Sequence, residues 1–391
     1  MNKQIGVFTG TRAEFGLLKP LILRLMEENF CEMKVLVTGS HLSKDFGNTY
    51  EEIKENGIPI AKKIECVTNG DNPQDISRNM AIAMTEFGKY FKQNKLDLLI
   101  VLGDRYETLA VCIAAMNAQI PIAHIHGGEA TYGLIDEAIR HSITKMSQLH
   151  FVTTEVYRNR VIQLGEQPSN VFNVGALGVE NTKNTDFISK EKLGVELGID
   201  LSKKYGVVTF HPITLQENSG VEQFEQLIEA LDAFPDMSFI ITKANADAGG
   251  RRINKRIDDY AKTHKNVAAV ASLGVRRYLS AVKESAAVIG NSSSGVIEVT
   301  CLHVPTVNIG DRQKGRIMPD SVLCCEPEKN AIISSIKKAI SDDFYEEVQT
   351  MTNPFGNGET SQKITNILKR VFEKDESIDV VKAFYNIEVN R

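Results

Sequence analysis

Two loops in the last third of the chain have the residue types and spacing to hold phosphate. In the run GNSSSG at 290–295, Ser292, Ser293 and Ser294 precede Gly295 at the start of a helical pattern. Free backbone N–H groups and the helix dipole at such a point can hold an anion, and plain helix capping would use the same hydroxyls. The second loop, GDRQKGR at 310–316, sets Arg312, Lys314 and Arg316 between glycines. Arginine forks match phosphate oxygens and glycine lets backbone approach closely, so a diphosphate suits both loops. A solvated basic loop is the bland alternative. Each loop follows an apolar run, 286–289 and 304–309, and two such strands of one parallel sheet would end side by side.

A second set of residues offers acid and base chemistry. Asp104 and Arg105 follow the apolar run 96–102, and His126 and Glu129 close the run HIHGGE at 124–129. Asp136 and Glu137 then open a helical pattern that continues through Arg140 and His141. Structural readings exist for all of them: Asp104 can cap the next helix, and Asp136 with Arg140 or Glu137 with His141 fit i,i+4 pairs. Yet Asp104 and Glu129 lie just past strands that a parallel sheet would place close together. Carboxylates converging on one place raise one another's pKa and become candidates for acid and base roles. His211 ends the run GVVTF before Pro212, which keeps the backbone extended there. Arg12 lies in GTRAEFG at 10–16, a glycine loop before a helix that suits a phosphate or simply makes a turn.

The elements that must position these residues read as parallel-sheet units. Runs at 4–9, 33–37, 96–102, 121–126 and 150–153 are apolar without alternation, as strands covered on both faces are. Helical patterns at 17–29, 76–93, 107–118 and 136–148 separate them, with 10–16 as a loop. After a polar interval at 179–204 the pattern restarts, with strands expected at 206–210, 237–242, 266–271, 286–289 and 304–309. The expected architecture is α/β, with two Rossmann-like doubly wound parallel-sheet domains around a cleft lined by the carboxyl ends of both sheets. Expected boundaries are 1–178 and 179–357, with a last helix at about 358–375 returning to the first domain.

Bulk properties fit this reading. A chain of 391 residues is too long for one ordinary core. Hydrophobic and charged shares of 42 % and 24 % are those of a globular protein, and a net charge of −5 argues against nucleic acid or an anionic membrane as partner. A strand begins at Gln4 where a signal peptide would lie, and the cysteines, Cys31, Cys66, Cys112, Cys301, Cys324 and Cys325, have no zinc spacing. A cytoplasmic location follows as the expectation. His124 and His126 lack a third metal ligand, and no G-x-G-x-x-G follows a strand, so neither a metal nor a dinucleotide cofactor is expected.

Taken in order, GTRAEFG, VLGDRYE, HIHGGE, DEAIRHSITKMS, FHP, GNSSSGVIEV and NIGDRQKGR resemble the hydrolysing UDP-N-acetylglucosamine 2-epimerases, most closely the bacterial branch of sialic acid biosynthesis. The resemblance spans nearly the whole chain. It implies a GT-B-like fold, a homodimer, and conversion of UDP-N-acetylglucosamine and water to N-acetylmannosamine and UDP without metal or nicotinamide. It implies catalytic roles for Asp104 and Asp136, and contacts to UDP from Arg12, Arg105, His211, Ser292, Ser293, Arg316 and, on the ribose, Glu298. Many relatives carry glutamate where this chain has His126, so Glu129 is the expected substitute acid, with His126 beside it. The alternatives are the same reaction on UDP-2,4-diacetamido-2,4,6-trideoxyglucose, a GT-B glycosyltransferase, and a non-catalytic nucleotide-sugar binder.

Overall fold

The computed structural model describes residues 2–43, 47–67, 72–132, 134–212, 219–244, 250–374 and 377–388. The chain forms two compact units, one made of Met1–Glu129, Asp136–Glu180 and Phe355–Arg391, the other of Ala130–Ile135 and Asn181–Pro354.

In the first unit seven strands, β1 (Lys3–Thr9), β2 (Cys31–Val37), β3 (Ile60–Lys63), β4 (Leu98–Leu102), β5 (Ile122–Ile125), β6 (Leu149–Val152) and β7 (Val171–Asn173), form one parallel sheet in the order β3-β2-β1-β4-β5-β6-β7. The interior strand β4, LLIVL, is buried at every residue because helices cover both faces. Phe8, Phe87 and Phe91 belong to the core on one face. Phe15, Leu18 and Leu21 of the helix Arg12–Glu27 share the other with Ile364, Leu368 and Phe372 of the helix Thr360–Lys374. The expected loop at 10–16 is mostly this first helix. Thr11 caps it and Glu14 returns a bond to the cap backbone, a reciprocal capping box that starts the helix at Arg12.

In the second unit β8 (Tyr205–Thr209), β9 (Ser238–Thr242), β10 (Val267–Val270), β11 (Ala287–Gly290), β12 (Thr306–Ile309) and β13 (Val322–Cys325) form a parallel sheet in the order β10-β9-β8-β11-β12-β13. Each sheet thus has a point where the strand order reverses, beside β1 and β4 in one and beside β8 and β11 in the other. Doubly wound folds bind ligands just past the carboxyl ends of the strands at such points.

The C-terminal residues 377–388 lie along the first unit. Lys382 Nζ donates to the carbonyls of Lys145 and Ser147 and lies 2.7 Å from Glu166 Oε2. Glu166, 3 % exposed, also takes Lys145 Nζ at 2.6 Å and His150 Nε2 at 2.9 Å. Burial pushes this carboxyl up, but the bonds from His150, Lys145 and Lys382 outweigh it and hold its pKa at about 2. Lys382→Met should therefore destabilise the protein by about 1–2 kcal/mol at pH 7, since a buried carboxylate loses a charged donor. The penalty should shrink as pH falls below the ordinary carboxylate range toward 2, where Glu166 takes up its proton. Urea unfolding of both proteins at several pH values checks this, and an equal penalty at every pH refutes it.

Candidate active site

In the first unit the turn after β4 is held rigidly. Gly103, at φ +74°, donates its N–H to Ile125 O at 3.0 Å, and its own carbonyl accepts from His124 Nε2 at 2.8 Å. Burial holds His124 neutral, at a pKa of about 3, so it serves as a fixed strut between β4 and β5. Asp104 comes next. The N-cap position of the helix Tyr106–Asn117 falls on Arg105, without a side-chain cap bond, so Asp104 does not have the capping role open to it from the sequence.

Asp104 instead meets Arg140. This arginine, 1 % exposed, donates from Nε to Asp104 Oδ2 at 2.7 Å and again from Nη2. Its Nη1 reaches Glu137 Oε2 at 2.7 Å and the Glu129 carbonyl at 3.0 Å. Burial alone would weaken the charge on the guanidinium, but Asp104, Glu129 and Glu137 reverse that and push its pKa up. One side chain therefore ties together the turn after β4, the turn after β5 and the helix Asp136–Met146. Asp136 opens that helix, and Glu137 also meets His141 Nε2 at 3.0 Å, the i,i+4 pair its spacing predicts.

The turn after β5 is strained. His126 adopts φ +65°, a region that non-glycine residues rarely enter, while its N–H bonds Phe151 O at 2.9 Å. Its Nδ1 stands 3.8 Å from Glu129 Oε1, and Glu129 is 3 % exposed. The two candidates for a second acid are thus neighbours in one buried turn. Arg12 pairs with Glu52 at 2.6 Å, and Arg105 with Glu107 at 3.2 Å.

In the second unit the phosphate-type loops lie side by side as the sequence predicts, since β11 pairs with β12 through Gly290 and Asn308. The helix after β11 starts earlier than expected. It runs Ser293–Ile297, with Ser292 as N-cap accepting from Ser294 N at 3.4 Å, and passes through Glu298 into a tighter turn at Val299–Leu302. Ser293 and Ser294 thus lie within the helix rather than before it. Gly295 packs against the sheet: a Cβ there would lie 2.9 Å from Thr306 Cγ2, and Thr306 Oγ1 bonds its carbonyl at 2.9 Å.

Asn291 organises these turns. Its side chain exchanges two 2.8 Å bonds with the backbone N–H and carbonyl of His211, tying the end of β8 to the end of β11. The Asn291 carbonyl accepts from Arg312 Nη1 at 3.1 Å and Gln313 Nε2 at 2.8 Å, which fixes the loop after β12. Arg316 N closes that loop on Gln313 O at 3.1 Å. His211 and Arg312 are therefore held around Asn291, next to Ser292, and Arg316 lies in the same loop as Arg312. Asn291 and Gln313 are organising residues that spacing does not reveal. Arg140 had a local signal, the i,i+4 spacing from Asp136, but its bonds to Asp104 had none.

Known proteins resemble the chain along nearly its whole length. The family model described as UDP-N-acetylglucosamine 2-epimerase matches residues 23–369. Polysialic acid biosynthesis protein P7 of Escherichia coli is 41 % identical over 98 % of both chains. The hydrolysing GDP/UDP-N,N'-diacetylbacillosamine 2-epimerase of Campylobacter jejuni is 38 % identical over 88 % of this chain and 89 % of that one. Among solved structures, that of UDP-GlcNAc 2-epimerase from Neisseria meningitidis bound to UDP-GlcNAc superposes with a TM-score of 0.79 at 21 % identity, covering 94 % of this chain and all of that one. The fold is the GT-B-like one of these epimerases.

Proposed function

Because the chain belongs to the UDP-N-acetylglucosamine 2-epimerase family, with hydrolysing members among its relatives, we propose that it converts UDP-N-acetylglucosamine and water to N-acetylmannosamine and UDP for sialic acid biosynthesis. The observation that carries the reading is the Arg140 hub, which gathers Asp104, Glu137 and the Glu129 turn at strand ends, where a sugar could be deprotonated and reprotonated. A carboxylate takes the proton from C2 as the C1–O bond to UDP breaks on the opposite face. The product is 2-acetamidoglucal, and the bond electrons leave with UDP. Water then adds across the double bond, its oxygen to C1 and a proton to C2, with C2 inverted.

Asp104, Asp136 and Glu129, with His126 beside it, supply the acid and base groups of these steps. Arg12, Arg105, Arg312 and Arg316, the hydroxyls of Ser292, Ser293 and Ser294 and the backbone at Gly295 meet the growing negative charge on the leaving diphosphate. His211 holds the nucleotide, and Glu298 takes the ribose hydroxyls. A second reading is supported by two relatives, 38 % and 31 % identical, named as hydrolysing diacetylbacillosamine 2-epimerases. It keeps the mechanism and changes the sugar to UDP-2,4-diacetamido-2,4,6-trideoxyglucose.

Incubation with each nucleotide sugar in deuterated, oxygen-18 water tests both readings. N-acetylmannosamine should appear with deuterium at C2 and the heavy oxygen at C1. Label at neither carbon ends the elimination mechanism, and faster turnover of the diacetamido sugar selects the second reading.

A further inference from the structure

Glu14 and Glu107 are buried carboxylates to which the steps above assign nothing, being 9 % and 1 % exposed. Glu14 Oε2 accepts the N–H groups of Gly10 and Thr11 at 2.7 and 3.0 Å. Glu107 accepts from Arg105 Nε at 3.2 Å and Nη2 at 3.5 Å. A Cβ built on Gly10 would lie 3.4 Å from Glu14 Oε2 and 3.7 Å from Glu107 Cβ, so both acids flank one turn, beside the point where β1 and β4 diverge. We propose that Glu14 and Glu107 are positioning residues, which fix the Arg105 guanidinium for the substrate diphosphate, and that the charge on Glu14 sets how strongly this corner attracts that anion. The inference rests on the reading of Arg105 as a diphosphate anchor.

Glu14 can change charge in the physiological range. Burial pushes its pKa up, Arg105 opposes this and the Glu107 charge adds to it, giving about 7. The groups facing it are Arg105 from the turn after β4, Glu107 from the first turn of the helix Tyr106–Asn117, and the amides of Gly10 and Thr11 from the turn after β1. His41, from the turn after β2, donates its N–H to Gly10 O at 3.4 Å and is kept uncharged by burial, at a pKa of about 4. Arg12 is engaged with Glu52. Below pH 7, Arg105 therefore faces one carboxylate charge. Above it a second appears, and the pull on a diphosphate weakens.

Binding of UDP-N-acetylglucosamine, whose diphosphate diester does not titrate between pH 6 and 8, reads this directly. Calorimetry in an Asp104→Asn background avoids turnover. The dissociation constant should rise between pH 6 and 8 about fivefold more with Glu14 than with Glu14→Gln, as expected for one added charge at moderate screening. Glutamine keeps an acceptor for the Gly10 and Thr11 N–H groups. Glu107→Gln should raise the constant about tenfold at both pH values, by releasing the arginine fork, with circular dichroism unchanged. A pH dependence that survives Glu14→Gln, or affinity unmoved by Glu107→Gln, overturns the inference while leaving the proposed function intact. Failure of the parent protein to bind this ligand at either pH overturns both.

Discussion

Asp104→Asn should lower turnover of UDP-N-acetylglucosamine by about 1000-fold, or about 4 kcal/mol in the barrier, the usual scale for losing a general acid or base. Asparagine is nearly isosteric and still offers an acceptor to Arg140. That arginine also remains held by Glu137 and the Glu129 carbonyl, so the site should stay assembled. The loss should appear in kcat with UDP affinity retained, which separates a chemical role from a binding one. The same assay decides between the neighbours in the turn after β5. Glu129→Gln should cripple turnover and His126→Asn should do so less, because the proposed mechanism calls for a carboxylic acid in this turn and Glu129 is the buried carboxylate there, 3.8 Å from the imidazole. The reverse order would assign the role to the imidazole. Near-normal turnover by the Asp104→Asn protein would remove Asp104 from the chemistry.

The limits of what the sequence reveals follow from how each feature is held. The interior strands were legible because burial on both faces leaves uninterrupted apolar runs such as LLIVL. Three strands at sheet edges were not: Ile60–Lys63 is exposed at three of four positions, Val171–Asn173 is only three residues long, and Val322–Cys325 is fully buried at only one of four positions. Edge strands lack the second covering layer that writes the pattern. The candidate residues were legible for a related reason, since polar groups following an apolar run mark the carboxyl end of a strand. Their partners were not. Arg140 reaches Asp104 across thirty-six positions of sequence, and Asn291 reaches His211 across eighty. No periodicity encodes such contacts. Gly295 read as a glycine that lets phosphate approach, and its backbone can still do so. The structure shows that the side chain is missing there because Thr306 occupies the space.

Gly290→Ala should abolish nucleotide binding by disrupting the second unit. Gly290 sits at φ +136°, and a Cβ there would overlap the Thr209 carbonyl oxygen and lie 2.7 Å from the carbonyl carbon. The obstacle is backbone of β8, paired with β11 at this very residue, so no side-chain rotation relieves it. The two strands must part or the peptide must turn. Either movement breaks the Asn291 N–H bond to Thr209 O, 3.1 Å in the structure, and carries Asn291 away from His211, Arg312 and Gln313. Overpacking against fixed backbone together with a forbidden φ should destabilise the unit by more than about 3 kcal/mol. Hydrogen exchange should report it locally, with β8 and β11 losing protection while β1 and β4 keep theirs. Gly103→Ala is the control: it also has positive φ, but nothing lies within 4 Å of its Cβ, so only the conformational penalty of about 1–2 kcal/mol remains. If the two variants melt alike, backbone conformation alone sets the requirement at 290, and the contact with Thr209 does not.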